Sequence, residues 1–132
     1  EALSLSARSG IGGSLLSQGQ IDNARRFFEQ LSRDGGNDSA IAAAAGNGLA
    51  EAGFKEDNLK DAQLAFARIA VTGASVPTEH AKALYYLGRC ADSLGMQGLE
   101  KGGRQKARDY FAEVQARYPA SHWARLSLQS HQ

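Results

Sequence analysis

Three times along these 132 residues one skeleton recurs: a glycine, a second glycine seven residues on, then an alanine followed by an aromatic residue at +4 and an aliphatic one at +7. The copies are Gly12, Gly19, Ala24, Phe28, Leu31; then Gly46, Gly53, Ala62, Phe66, Ile69; and last Gly88, Gly95, Ala107, Phe111, Val114. Repetition at this scale is the mark of a solenoid, in which no unit can bury its apolar face alone and each buries it against the next. It points to a surface for holding another protein before any site is considered.

Composition supports a helical reading. Proline occurs only twice, alanine is abundant, and β-branched residues are scattered, so propensity favours helix over strand. Fifteen basic and 14 acidic side chains leave a formal charge of +1, which provides no long-range field for DNA or anionic lipid. Nucleic acid is not an expected partner. Cys90 is the only cysteine, so no internal disulfide can form, and a lone cysteine reads first as a small buried hydrophobe. No stretch approaches the roughly 18 consecutive apolar residues of a membrane span. The chain opens at Glu1 without methionine and shows no secretory signal, so it is expected to be part of a longer protein.

Helical periodicity and capping signals predict six or seven segments in one domain spanning 1–132. The first runs from about Leu3 to Gln18, and the second from Gln20 or Ile21 to Ser32. Asp38 or Ser39 caps a third that reaches about Ala52, with Gly53 suited to its left-handed C-terminal position. Asp57 or Asn58 caps a fourth, reaching about Val71, and Thr78 behind Pro77 starts a fifth through Leu94. The glycine-rich segment from Gly95 to Gly103 is a loop or extra turn. Gln105 to Tyr118 is the sixth helix, stopped by Pro119, and Ser121 caps a short seventh that carries Trp123, Leu126 and Leu128. Gly12, Gly46 and Gly88 fall inside the first helix of each pair, where glycine costs about 1 kcal/mol relative to alanine. The expected reason is close approach of the partner helix, with Ala24, Ala62 and Ala107 as the opposing small residues.

These residues resemble the tetratricopeptide repeat family. Leu84, Leu87, Gly88, Ala91, Ala107, Phe111, Val114 and Pro119 match its small and large positions in order, as do Ala42, Ala45, Gly46, Leu49, Ala62, Phe66 and Ile69. The first copy is weaker, because Arg8 stands where the family has a large apolar residue, but Ile11, Gly12, Leu15 and Gly19 through Leu31 fit. The step from second glycine to alanine is five residues in copy one (19 to 24), nine in copy two (53 to 62) and twelve in copy three (95 to 107). The insertions are expected in the turn between paired helices. The resemblance implies an all-α, right-handed superhelix of three hairpins, at about 4–37, 38–77 and 78–119, with a capping helix over 121–130. A narrower likeness, from Phe111 through Tyr118, Pro119 and Ser121 to Trp123 and Ala124, is similar to repeats of bacterial envelope proteins, among them outer-membrane lipoproteins of assembly machines and periplasmic coordinators of cell-wall and Tol work. It implies an envelope location, with a bacterial cytoplasmic scaffold as the rival.

In that family the first helix of each repeat lines the concave surface. Carried over, its ligand positions fall on Ser6, Ser9, Gly13, Leu16 and Ser17; on Ala40, Ala43, Asn47, Ala50 and Glu51; and on Lys82, Tyr85, Arg89, Asp92 and Ser93. The first two sets are small, which leaves the groove open, and chemistry gathers in the third. Tyr85 and Arg89, one helical turn apart, are residue types that anchor interfaces. The competing reading makes Lys82, Arg89 and Asp92 a solvated face with ordinary charge pairing. Only Asn47 and Lys82 are placed for the family's carboxylate clamp, so chaperone docking is not implied.

Other chemistry is thinner. His80, His122 and His131 show no metal-ligand spacing, and no nucleophilic triad, phosphate loop or paired-carboxylate motif is present, so neither enzyme activity, cofactor nor metal is expected. Lys101, Arg104, Lys106 and Arg108 read as a solvated basic patch. Trp123 is expected to shield the last hydrophobic face of the stack, with ligand binding as the lesser alternative. Two function classes follow: a non-catalytic module that binds a partner's peptide or helix in its groove, and a structural module that self-associates into a homo-oligomer.

Overall fold

Ser4 and Asp38 begin two helices in the same way, each side-chain oxygen accepting from a backbone N–H three residues on: Ala7 to Ser4 Oγ at 3.1 Å and Ile41 to Asp38 Oδ1 at 3.0 Å. Such caps satisfy donors that the first turn leaves open. In the computed structural model, which describes residues 3–130, seven helices follow one another: α1 (Leu5–Ser17), α2 (Ile21–Gly35), α3 (Ser39–Lys55), α4 (Leu59–Thr72), α5 (Pro77–Met96), α6 (Gly103–Arg117) and α7 (His122–Ser130). Pro77 occupies the first position of α5, where its missing N–H costs nothing. Ser121 Oγ accepts from the Ala124 N–H at 3.0 Å and starts α7. His131 lies outside the described residues. The protein is all-α, and the sequence-derived helix limits are right to within a few residues.

The first two hairpin turns are the same structure. In each, the backbone N–H after the helix reaches four residues back (Gln18 to Ser14 at 3.0 Å, Glu56 to Ala52 at 3.2 Å), and the next-but-one reaches five back (Gln20 to Leu15 at 2.9 Å, Asn58 to Gly53 at 3.0 Å). Between them stands a left-handed residue, Gly19 at φ 78° and Asp57 at φ 63°. Gly53 was expected in that conformation; instead it lies within α3 and offers its carbonyl to the turn. The nine-residue step of copy two therefore lengthens the helix and leaves the turn alone, since α3 has 17 residues against 13 in α1. Only the third connection grows. Gly98 at φ 73° opens it with the same five-back bond, Leu99 to Leu94 at 2.8 Å, and Gly102 at φ 72° closes it onto α6.

The repeated glycines admit rings. A Cβ on Gly12 or Gly48 would fall on the ring of Phe28, one on Gly88 would fall on Phe111, and one on Gly46 would fall on the Cδ1 of Ile69. The partners of the first glycines are thus the +4 aromatic or +7 aliphatic residues, and the expected alanines at 24, 62 and 107 do not face them. A small-on-small approach occurs elsewhere, with a Cβ on Gly53 lying 3.9 Å from the Cβ of Ala62.

Each helix packs on its chain neighbours, and the odd-numbered helices also touch in succession: α1 on α3, α3 on α5, α5 on α7. Among the described residues no two even-numbered helices touch. This explains the alanine-rich run of α3, which meets α1, α2, α4 and α5. Ala45 and Ala52 belong to an apolar cluster with Phe28 and Leu31, whereas Ala43 and Ala50 belong to a second with Phe66 and Tyr86. A helix covered on both sides has no polar face to spare, so periodicity fades there. Within the second cluster Phe66 stacks on Tyr86, with ring centroids 4.9 Å apart and planes at 6°.

Gly88→Ala should destabilise the fold despite alanine's advantage in a helix of about 1 kcal/mol, because overpacking costs about 1–3 kcal/mol. Gly13→Ala, whose Cβ would meet nothing within 4 Å, should stabilise it by about 0.5–1 kcal/mol. Urea unfolding of the two variants tests the opposed signs.

Candidate functional site

The residues singled out on α3 and α5 do come together, and they engage one another. Asn47 is fully buried, and its Nδ2 donates to the backbone oxygen of Glu79 at 3.0 Å and to Glu79 Oε1 at 2.9 Å. One turn along, Lys82 Nζ pairs with Glu51 Oε1 at 2.8 Å, with both side chains largely covered. Burial of a charge requires such a partner, and the pair ties α5 to α3. Desolvation, then the charge and hydrogen bond of Glu51, push the neighbouring Tyr86 phenol well above its ordinary range.

Tyr85 and Arg89 are structural in this arrangement. Tyr85 is only 4% exposed. Its ring lies 5.1 Å from Tyr86, 5.9 Å from Phe111 and 5.5 Å from Trp123, centroid to centroid. Arg89 Nη1 donates to Tyr85 Oη at 2.9 Å, and its guanidinium stands 5.0 Å from the Phe54 ring. The expectation of a Tyr85 and Arg89 anchor presented to a partner is therefore not what the geometry offers, because the aromatic face is already covered by α7. Asp92 pairs with Arg104 of α6 at 2.6 Å, and Ser93 is half-buried beside it. Lys106 stands 3.6 Å from Glu100, so Arg104 and Lys106 of the basic patch are both paired with carboxylates, whereas Arg108 donates to the neutral Gln105. Burial pushes the Cys90 thiol up to about 12, which makes it inert packing material.

One open cleft lies on the odd-helix side. A cleft of about 430 Å³ is bounded by Leu5, Ser6, Ser9 and Gly10 of α1, Ala44 of α3, the start of α5 at Thr78, Glu79 and Lys82, and Trp123 of α7. Phe28 forms part of its floor. Two of the carried-over positions of copy one, Ser6 and Ser9, thus face Lys82 of copy three across one opening. Lys82 also lies 5.6 Å from the centre of the Trp123 ring, so the ammonium sits between an acid and an aromatic face. An apolar surface with a few convergent polar groups is the usual makeup of a binding cleft. Sequence reasoning missed Thr78 and Glu79 as wall residues and ranked ligand contact by Trp123 below its covering role. The signal was available for the first two, since Pro77 at the helix start places them in its first turn.

A second cleft, of about 420 Å³, lies on the other side between Arg25 of α2 and Arg68 of α4, over a floor that includes Gly46, Ala50 and Gly53. Arg25 is engaged there by Asp22 and Glu56. The floor has no aromatic residue to anchor an occupant. No helix of the described residues is long and apolar enough to cross a membrane.

Comparison with protein-family models, curated proteins and solved structures finds no match to this chain.

Replacing Tyr85 by alanine should cost about 3–5 kcal/mol in chemical denaturation, as expected for a buried aromatic residue. Arg89→Ala should cost much less. Near-wild-type stability of Tyr85→Ala would return the residue to the surface.

Proposed function

We propose that this chain is a non-catalytic protein-binding module of the tetratricopeptide type, which receives a peptide or helix of a partner in the odd-helix cleft and so helps assemble a larger complex. One observation supports this most. Odd-numbered helices touch in succession whereas even-numbered ones do not, and a row packed closely on one side and spread on the other curves toward the packed side. On this reading the three hairpins form a right-handed superhelix with α1, α3 and α5 on its concave face, and α7 continues that row as the terminal cover.

Of the carried-over positions, only Ser6, Ser9 and Lys82 line the cleft. Ser6 supplies a hydroxyl and Gly10 room, Thr78 and Glu79 a polar edge, and Leu5 and Trp123 apolar surface. Asn47, Glu51, Tyr85 and Arg89 shape the wall from behind. Helix-in-groove and extended-segment recognition both use such a combination of an apolar floor with a polar margin.

Self-association is a second reading, favoured by apolar residues at the two ends of the stack: Leu3 and Ile11 by α1, and Leu128 on α7, are exposed. Light scattering over a concentration series separates the two, because a constant monomer mass removes this alternative.

Ser6→Trp, at an exposed position of α1, fills the cleft from that side. It should abolish capture of the partner that the wild-type chain retains from an extract of its source, with helical circular dichroism unchanged, while Leu64→Ser on the exposed side of α4 should leave capture intact. Equal capture by the Ser6→Trp variant would move the site off the cleft.

A further inference from the structure

His80 is buried in the first turns of α5, and its Nδ1 shares a hydrogen bond with the Tyr118 hydroxyl at 2.5 Å. The two rings also meet edge to face, with centroids 5.6 Å apart. Tyr118 is the residue at which α6 ends. Its backbone oxygen accepts from both the Ser121 N–H at 3.0 Å and Ser121 Oγ at 2.8 Å, and Ser121 Oγ in turn caps α7. One residue thus links α5 to the corner that starts α7, and α7 carries Trp123 to the cleft wall. Beyond that corner, α7 is seated by the buried Ala124 and Ser127 and by the half-buried Trp123 and Leu126.

The charges around His80 come from two sides. On α6, Arg117 raises the cost of a positive imidazole and Glu113 lowers it; these two are paired with each other at 3.0 Å. On its own helix the neighbouring Glu79 is held by Asn47 of α3. Among the described residues no carboxylate is hydrogen-bonded to the His80 ring. We propose that the contact between His80 and Tyr118 is a latch for α7, and that protonation of His80 loosens α7 and opens the Trp123 wall of the cleft. The regulatory meaning rests on the cleft being the partner site; the latch itself does not.

The sign follows from burial. Desolvation first, and Arg117 second, hold the His80 pKa below 6.5, so the folded, latched state binds a proton less readily than a state in which the ring meets water. Above pH 6.5 both states are neutral and the latch is fully favoured. As pH falls through 6.5 toward the lowered value the open state gains the proton first, and closure weakens.

Trp123 is the only tryptophan, which gives a local reporter. His122 touches its ring at 5.0 Å and would disturb emission on its own, so the measurement uses a His122→Gln background. Lowering the pH from 8 to 5 should shift Trp123 emission to the red and raise its quenching by acrylamide, with a midpoint below 6.5 and helical circular dichroism retained. Adding His80→Gln should remove that transition. Should that variant fold poorly, Tyr118→Phe keeps the ring and deletes the hydroxyl; its emission should already be red-shifted at pH 8. The latch is overturned by constant emission across the range, by an unchanged transition in His80→Gln, by wild-type behaviour of Tyr118→Phe, or by helix loss that accompanies the emission change. These readouts need no partner, so failure of the cleft as a partner site would leave them standing.

Discussion

A phenylalanine ring lying on a bare helix backbone is the contact on which the rest depends. Phe28 is flanked by Gly12 of α1 and Gly48 of α3, and Phe111 lies on Gly88 of α5. Each ring needs the missing side chain opposite it, and each glycine is tolerable in a helix only because the ring returns more than the propensity it costs. The alanines of α3 serve the same end from a helix covered on both sides. Large residues project from the even-numbered helices into gaps left by small residues on the odd-numbered ones, and that asymmetry lets the odd helices draw together.

This division of labour also decides where a partner could bind. Along α5 the gaps are filled by the protein itself, with Tyr85 and Tyr86 beneath Trp123, Arg89 over Phe54 and Lys82 against Glu51. Along α1 they are not, because Ser6, Ser9 and Gly10 are small. The opening is therefore asymmetric, closed at the α7 end by an aromatic side chain and wide at the α1 end. A ligand would meet a polar margin beside a hydrophobic floor.

Much of the fold was legible in the sequence because capping and periodicity are local. Asp38, Pro77 and Ser121 mark helix starts by their own chemistry, and Ala24, Phe28 and Leu31 mark a buried stripe by spacing alone. The register of the repeats was less legible. Gly53 and Asp57 compete for the left-handed position, and glycine is the better intrinsic candidate, yet α3 runs one turn further because burial on both sides sustains it. The site was read least well. Tyr85 and Arg89 are of interface type, but whether an aromatic residue faces a partner or a later helix depends on α7, 36 residues beyond Tyr85 at Ser121. Chain distance hides that contact; only Trp123, read as the cover of the last apolar face, hinted at it.

Amide hydrogen exchange along the chain tests the account most directly, since it reports how each helix is held. If neighbour contacts along the odd row carry the fold, α3 and α5 should exchange most slowly, α1 and α7 should open well before them, and the α1 wall of the cleft should be the more labile side. Uniform protection from α1 to α7, or an α3 that exchanges as fast as the ends, would contradict it.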